Sequence, residues 1–280
     1  MSTSIQASAP ASARTAARNP VETAGRVGYA VKGVLYALLG VLAVEAARGG
    51  GSAEGQTGAL RSLAGEPFGS ILLGVLTVGL AAYALWRLST AVLDPEGHGT
   101  DASGLVHRGG YLASALAYGT FAFVAGRLVF GDGGGSGSGG GASEQTQMAF
   151  GLPGGRWLVA AAAVALVGFA IREAWRAYSA TFMSNLALDG FARHKRTLIE
   201  RLGRAGLAAR AVVYGLMGVS LAVAAWQTDA QEAVGLDGAL ASLRDAPYGP
   251  WLLGAVGLGL AAYGLYCGVN ARYRRFEGSQ

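Results

Sequence analysis

The chain reads PFGSILLGVLTVGLAAY at residues 67–83 and PYGPWLLGAVGLGLAAY at residues 247–263. These two runs, far apart in the chain, keep proline, glycine, leucine and tyrosine at matching positions. Each run belongs to an apolar segment longer than the about 20 residues that a helix needs to cross a hydrocarbon layer. The recurrence predicts an internal repeat that contains this helix.

A third, weaker copy lies between the first two. Pro153-Gly-Gly155 aligns with the starts of the other runs, and Phe169 stands where they have Tyr83 and Tyr263. An arginine placed ten residues before a tyrosine opens each unit: Arg26 and Tyr36, Arg108 and Tyr118, Arg204 and Tyr214. Ordered matches over both segments of each unit predict three tandem copies of a helix pair.

Composition indicates that lipid is the solvent for these helices. The 280 residues are 52% hydrophobic and 14% charged, whereas a soluble domain carries about 25% charge. Each apolar segment is long enough for a helix to cross a hydrocarbon layer of about 30 Å. We therefore predict an all-α integral membrane protein of six transmembrane helices, arranged as three tandem hairpins. Three such hairpins can be arranged around a pseudo-threefold axis. The segments are 27–47, 67–92, 106–130, 154–178, 207–227 and 248–270.

The predicted organisation has five parts. Residues 1–24 form a disordered tail, residues 25–94 the first repeat, residues 105–179 the second and residues 203–275 the third. The second repeat contains a Gly/Ser-rich loop at 131–147, which lacks large apolar side chains and is expected to be flexible. The basic linker at 180–202 is either an amphipathic helix lying on the inner leaflet or a solvated connection.

The basic residues predict the orientation in the membrane. With loops on alternating sides, 17 of the 22 Lys and Arg residues fall on the side of both termini. We expect both termini to be cytoplasmic and the protein to lie in a bacterial inner (plasma) membrane. The net charge of +5 is then a topology signal and a contact with anionic headgroups, so nucleic acid is not an expected partner.

The repeated motifs resemble a known family. Gly79-Leu-Ala-Ala-Tyr83, Gly259-Leu-Ala-Ala-Tyr263, Pro247-Tyr-Gly-Pro250 and Ala271-Arg-Tyr-Arg-Arg275 are similar to those of the bacterial membrane family called domain of unknown function 1206. The resemblance covers roughly residues 25–275 and is weakest in the second unit. It implies three copies of a two-helix unit and assigns no activity and no functional residue.

Helix rise places the charged side chains near the membrane surfaces. Lys32 and Arg210 each lie six residues beyond an opening arginine, about 9 Å inside, which is within snorkelling reach of the headgroups. Arg87 and Glu173 fall near the same interface. We therefore predict no charge near the membrane centre. The residues expected to contact headgroups or anchor helix ends are Arg26, Lys32, Arg108, Arg204 and Arg210.

Tyrosines are the polar groups predicted closest to the centre. Around a pseudo-threefold axis, Tyr36, Tyr118 and Tyr214 form one layer, and Tyr83, Phe169 and Tyr263 form another. These residues either line a cavity for a small neutral or amphiphilic solute or pack and hydrogen-bond to neighbouring helices. The spaced glycines let helix backbones approach, either within the chain or between copies of it.

Three classes of function remain open from the sequence. The predicted transmembrane helices contain few polar residues, which favours a non-enzymatic scaffold or partner-binding membrane module. A channel or facilitator for a small solute is the alternative. An intramembrane enzyme is disfavoured because His98, His107 and His194 lie in or beside loops and the single cysteine, Cys267, lies in an apolar run. No catalytic residue, metal site or cofactor is predicted.

Overall fold

The computed structural model describes residues 20–50, 55–65, 67–94, 99, 101–130, 142–188 and 190–275. Within them the fold is helical, and six helices are long and apolar enough to cross a membrane. The predicted fold class is therefore confirmed. The helices are α1 Pro20–Ala47, α2 Gln56–Ala64, α3 Gly69–Leu93, α4 Ala102–Val129, α5 Ala142–Phe150, α6 Gly155–Ser179, α7 Arg193–Gln227, α8 Leu236–Asp245 and α9 Gly249–Tyr273. The membrane-length helices are α1, α3, α4, α6, α7 and α9.

Each unit contains a short helix that the sequence argument did not predict. The helices α2, α5 and α8 each precede the second long helix of a unit. The turn between them places Phe68, Gly154 and Tyr248 in the left-handed region, with φ of 65°, 74° and 61°. The next residue is always glycine, because a Cβ there would overlap a carbonyl oxygen of the short helix. The aligned Pro-x-Gly motif is thus a repeated turn that joins two helices.

The long helices form an arc in the order α4, α3, α1, α9, α7, α6. The closest packing joins the second long helix of one unit to the first of the next, in the pairs α3–α4, α6–α7 and α9–α1. This cyclic order is the one expected when three units surround an axis. The two ends of the arc, α4 and α6, belong to the second unit and hardly touch each other.

The first and third units are closed by the same two contacts. A Cβ on Gly28 would overlap the Tyr83 ring, and one on Gly79 would overlap Val31. In the third unit a Cβ on Gly206 would lie 2.6 Å from the Tyr263 Cα, and one on Gly259 would lie 2.5 Å from the Ala209 Cβ. These glycines let the two long helices of each unit approach closely.

The second unit lacks both contacts. Gly110 corresponds to Gly28 and Gly206, but no atom of the described residues lies within 4 Å of a Cβ built there. Gly110, Ala113 and Ala165 are exposed at positions whose counterparts are buried in the other units. We call the gap between α4 and α6, lined by Gly110, Ala113, Ala165 and Phe169, the lateral opening.

Two predicted boundaries are corrected by the helices. α1 begins at Pro20, within the predicted tail 1–24, because proline fits the first turn of a helix. Residues 1–19 lie outside the described residues. In the loop predicted at 131–147, residues 142–147 belong to α5, where good helix formers such as Ala142 and Glu144 occur. Residues 131–141 also lie outside the described residues.

The basic linker predicted at 180–202 consists of two parts in the structure. Residues 181–185 form a 3₁₀ turn, and the buried ring of Phe182 packs 5.1 Å from the ring of Tyr266. Ala187 donates a backbone hydrogen bond of 2.8 Å to the Tyr273 carbonyl. From Arg193 onward the chain is the start of α7. The linker is therefore folded against one end of the bundle.

Candidate functional site: a cationic aromatic cluster

The six predicted aromatic residues meet in three edge-to-face pairs. Their ring centroids are 4.7 Å apart for Tyr83 and Tyr118, 5.0 Å for Phe169 and Tyr214, and 4.8 Å for Tyr36 and Tyr263. Each pair joins the second long helix of one unit to the first long helix of the next. The two predicted layers are therefore a single group, which we call the aromatic cluster.

Lys32 projects into the aromatic cluster. Its Nζ lies 5.3 to 5.8 Å from four ring centroids, those of Tyr118, Tyr263, Tyr83 and Tyr36. The residue is 7% exposed, and no oxygen of the described residues accepts a hydrogen bond from its ammonium. A cation–π contact contributes about 2 kcal/mol when desolvated, whereas burying a charge costs several. The rings thus offset part of that cost and leave all three N–H donors unused.

Arg210 lies against the same rings from α7. Its guanidinium carbon is 4.4 Å from the Tyr263 ring centroid and 5.2 Å from that of Tyr214. Nη1 donates to Glu173 at 2.8 Å, and Nη2 donates to the Tyr214 hydroxyl at 3.3 Å. That hydroxyl lies 3.3 Å from the Tyr36 hydroxyl. The Nε atom is buried without a hydrogen-bond partner among the described residues.

Glu173 is the buried acid of the site. It is fully buried on α6, where one carboxylate oxygen accepts from Arg210 and the other accepts from Arg176 at 2.8 Å. Both oxygens are therefore occupied by arginines. Among the buried residues that the structure describes, Lys32 and Arg210 are the cations and Glu173 is the one acid. The cluster carries excess positive charge.

These positions correct part of the sequence prediction. Lys32 and Arg210 were expected to snorkel towards headgroups, but both point into the protein. Helix rise gives the depth of a residue but not the direction of its side chain around the helix axis. Depth alone therefore does not distinguish a side chain that points towards the headgroups from one that points into the protein. Glu173 and Arg87 were placed at an interface and given no role. Arg87 donates from Nε to the Tyr83 hydroxyl at 3.0 Å, beside the cluster.

Two of the other predicted anchors, Arg26 and Arg108, bind the C-terminal ends of neighbouring helices. Arg26 donates to the carbonyls of Ala271 and Arg272 at the end of α9. Arg108 donates to the carbonyls of Ala91 and Val92, at 2.8 and 3.3 Å, at the end of α3. Cations are favourable at helix C-termini, and here they join neighbouring units.

Arg204 differs from its two counterparts. It forms an ion pair of 2.8 Å with Glu200, one turn earlier on α7, and its side chain is 45% exposed. Its contact with headgroups stays a prediction.

The groups present in the cluster suit the binding of a ligand. No group of three or more His, Cys, Asp or Glu that suits a metal ion occurs in the part of the chain that the structure describes. The available groups are aromatic faces, tyrosine hydroxyls, an ammonium and a guanidinium. Together they suit a ligand that carries negative charge or strong hydrogen-bond acceptors.

Comparison with known proteins agrees with the repeat. The family described as Domain of Unknown Function (DUF1206) matches three times, at residues 27–94, 109–180 and 205–274. "Uncharacterized protein YxxB" of Bacillus subtilis (strain 168) is 37% identical over 252 residues, which are 89% of this chain and 90% of that protein. No solved structure matches the chain. The chain belongs to the Domain of Unknown Function (DUF1206) family, as a multi-pass membrane protein with three copies of the family's unit.

Proposed function

We propose that this chain is a non-enzymatic membrane protein that binds a small solute through an anionic group and facilitates its movement. The observation that carries the proposal is the Lys32 ammonium, enclosed by four tyrosine rings with unused hydrogen-bond donors. Arg210 supplies a second positive charge and a free Nε beside the same rings. A carboxylate or phosphate at this point would satisfy these donors and neutralise the excess charge.

This function refines the facilitator hypothesis from the sequence. A centre packed only with glycine and alanine would favour a structural module. Close glycine contacts such as Gly40 against Ala261 join α1 to α9, whereas the aromatic cluster holds buried cations and hydroxyls. The solute that fits this chemistry is anionic rather than neutral.

Native mass spectrometry of the full chain in mild detergent tests this proposal. Purified wild-type protein is expected to carry an anionic small-molecule adduct, which is depleted in Lys32→Met and kept in Lys32→Arg. The matched control is Lys195→Met, since Lys195 is the other lysine of the chain and is exposed. Equal adducts in all four proteins, or none in any, would overturn the proposal. Thermal unfolding of each variant checks that the bundle is folded.

A scaffold or partner-binding module is the second candidate. The observation that favours it is the exposed basic start of α7, which includes Arg193, Lys195 and Arg196. Anionic headgroups, a protein partner or a second copy of the chain would bind such a surface. Chemical crosslinking in vesicles tests it, because Arg196→Glu should then reduce a specific crosslinked species.

We further propose that the protein lies in the bacterial inner membrane with both termini in the cytoplasm. The unequal distribution of Lys and Arg supports this orientation. Single cysteines introduced at Lys195 and Arg275 should resist impermeant thiol reagents in intact cells, whereas one at Arg48 should react. The native Cys267 is buried and gives little background. Labelling of residues 195 and 275 from outside the cell would contradict the proposed orientation and place both on the outer side of the membrane.

A further inference from the structure

We propose that the ligand is a single-chain anionic amphiphile of the fatty-acid type, which enters from the bilayer between α4 and α6. The inference rests on the proposed anion site and adds the class of ligand and its route. The carboxylate would sit at Lys32 and Arg210, and the hydrocarbon chain would leave through the lateral opening.

The lateral opening adjoins the aromatic cluster on both of its sides. Its two sides carry Tyr118 on α4, whose ring centroid is 5.3 Å from the Lys32 Nζ, and Phe169 on α6, whose ring centroid is 5.7 Å from the Arg210 guanidinium carbon. In the other units the corresponding sides are sealed by glycine contacts. Among the described residues, the second unit is therefore where a molecule dissolved in the bilayer has a route towards the cations.

The lining of the opening suits a hydrocarbon chain. Gly110, Ala113 and Ala165 are small and exposed, so space exists where the closed units have tight packing. Phe169 replaces a tyrosine of the other units, which removes a hydroxyl at this side of the cluster. Burying methylene groups against such a surface is favourable relative to water but nearly neutral relative to lipid. Affinity must then come from the charged end of the ligand.

The depth of the cations agrees with this ligand. Lys32 lies six residues beyond Arg26, so its Cα is about 9 Å further along α1 than Arg26, the residue expected at the membrane surface. A carboxylate held there is close to the headgroup level of one leaflet. A fatty acid that moves laterally from that leaflet would keep its chain in the hydrocarbon layer while its charge reaches the cluster.

Photolabelling of the full chain in phosphatidylcholine nanodiscs tests the inference. The probe is palmitate with a diazirine in mid-chain, and the comparison probe is the corresponding neutral alcohol. Palmitate is expected to label the region of 110–113 and 165–169 and to be displaced by unlabelled palmitate. Labelling should fall about tenfold in Lys32→Met, the size expected for loss of one charge-assisted contact.

Two adjacent glycines provide a matched steric control. Gly110 faces the opening by its correspondence with Gly28 and Gly206, whereas Gly109 points about 100° away on the same helix. Neither has a described atom within 4 Å of a Cβ, so a Cβ fits at both positions without a clash. Gly110→Phe should block labelling at 165–169, and Gly109→Phe should leave it unchanged.

The outcomes separate this inference from the proposed function. Equal labelling by palmitate and the alcohol, or labels spread over all lipid-facing helices, would overturn the amphiphile. If the Lys32-dependent adduct persists in native mass spectrometry, the anion site stands with a water-soluble ligand. If Lys32→Met changes neither the adduct nor the labelling, the anion site itself falls.

Discussion

In the first and third units a glycine packs beneath a tyrosine of the unit's second long helix, whereas in the second unit no described atom lies within 4 Å of a Cβ on the corresponding Gly110. The difference follows the sequence. The second unit has Ala165 and Phe169 where the closed units have glycine and tyrosine. Close helix contact in lipid depends on small residues at matched positions, so losing one partner removes the contact. A degenerate copy within a repeat protein thus creates an opening that a symmetric bundle would lack.

The largest change in stability is expected at the ion pair between Glu173 in the second unit and Arg210 in the third. Glu173→Gln leaves the buried Arg210 without its carboxylate, which should lower the free energy of unfolding by about 3 kcal/mol. Unfolding by sodium dodecyl sulfate, followed by circular dichroism, measures it. Glu200→Gln is the control, because its pair with Arg204 is partly exposed and should change stability by less than about 0.5 kcal/mol. Similar losses in both variants would contradict the central role of the buried pair.

Alanine substitutions at two corresponding glycines compare the third unit, where the two long helices are in close contact, with the second unit, where they are not. Gly206→Ala places its Cβ 2.6 Å from the Tyr263 Cα and should destabilise the protein by about 2 kcal/mol. Gly110→Ala meets no described atom and should stabilise it by up to about 1 kcal/mol through helix propensity. The same detergent titration measures both. Equal destabilisation would mean that the second unit closes in the membrane.

The smallest effect is expected at the arginines that open the units. Arg108→Met removes two hydrogen bonds to the end of α3 and should cost about 1 kcal/mol. Arg204→Met removes only an exposed pair on its own helix and should cost less than about 0.5 kcal/mol. Apparent melting temperatures in one detergent rank the two variants. The reverse order would show that Arg204 has a structural partner that Arg108 lacks.

Much of the fold could be predicted because lipid limits the choices. A run such as 67–92 crosses the hydrocarbon layer as a helix, since the backbone must satisfy its own hydrogen bonds there. The short helix α5 lacks a long apolar run, so the hydrophobic pattern that predicts the transmembrane helices does not predict it. The sequence predicted the six aromatic residues as two layers, whereas the structure arranges them as three pairs. Correspondence between repeats identified the six residues, and packing between units arranged them as pairs.

The sequence by itself determined that this chain has three copies of a helix pair, which residues correspond between them and how deep each lies along its helix. Only the tertiary structure decided that Lys32, Arg210 and Glu173 point inward together and that α4 separates from α6. Hydrophobic length and helix rise fix position along the membrane normal. The direction of a side chain around its helix, and the partner it meets there, depend on contacts between residues far apart in the chain.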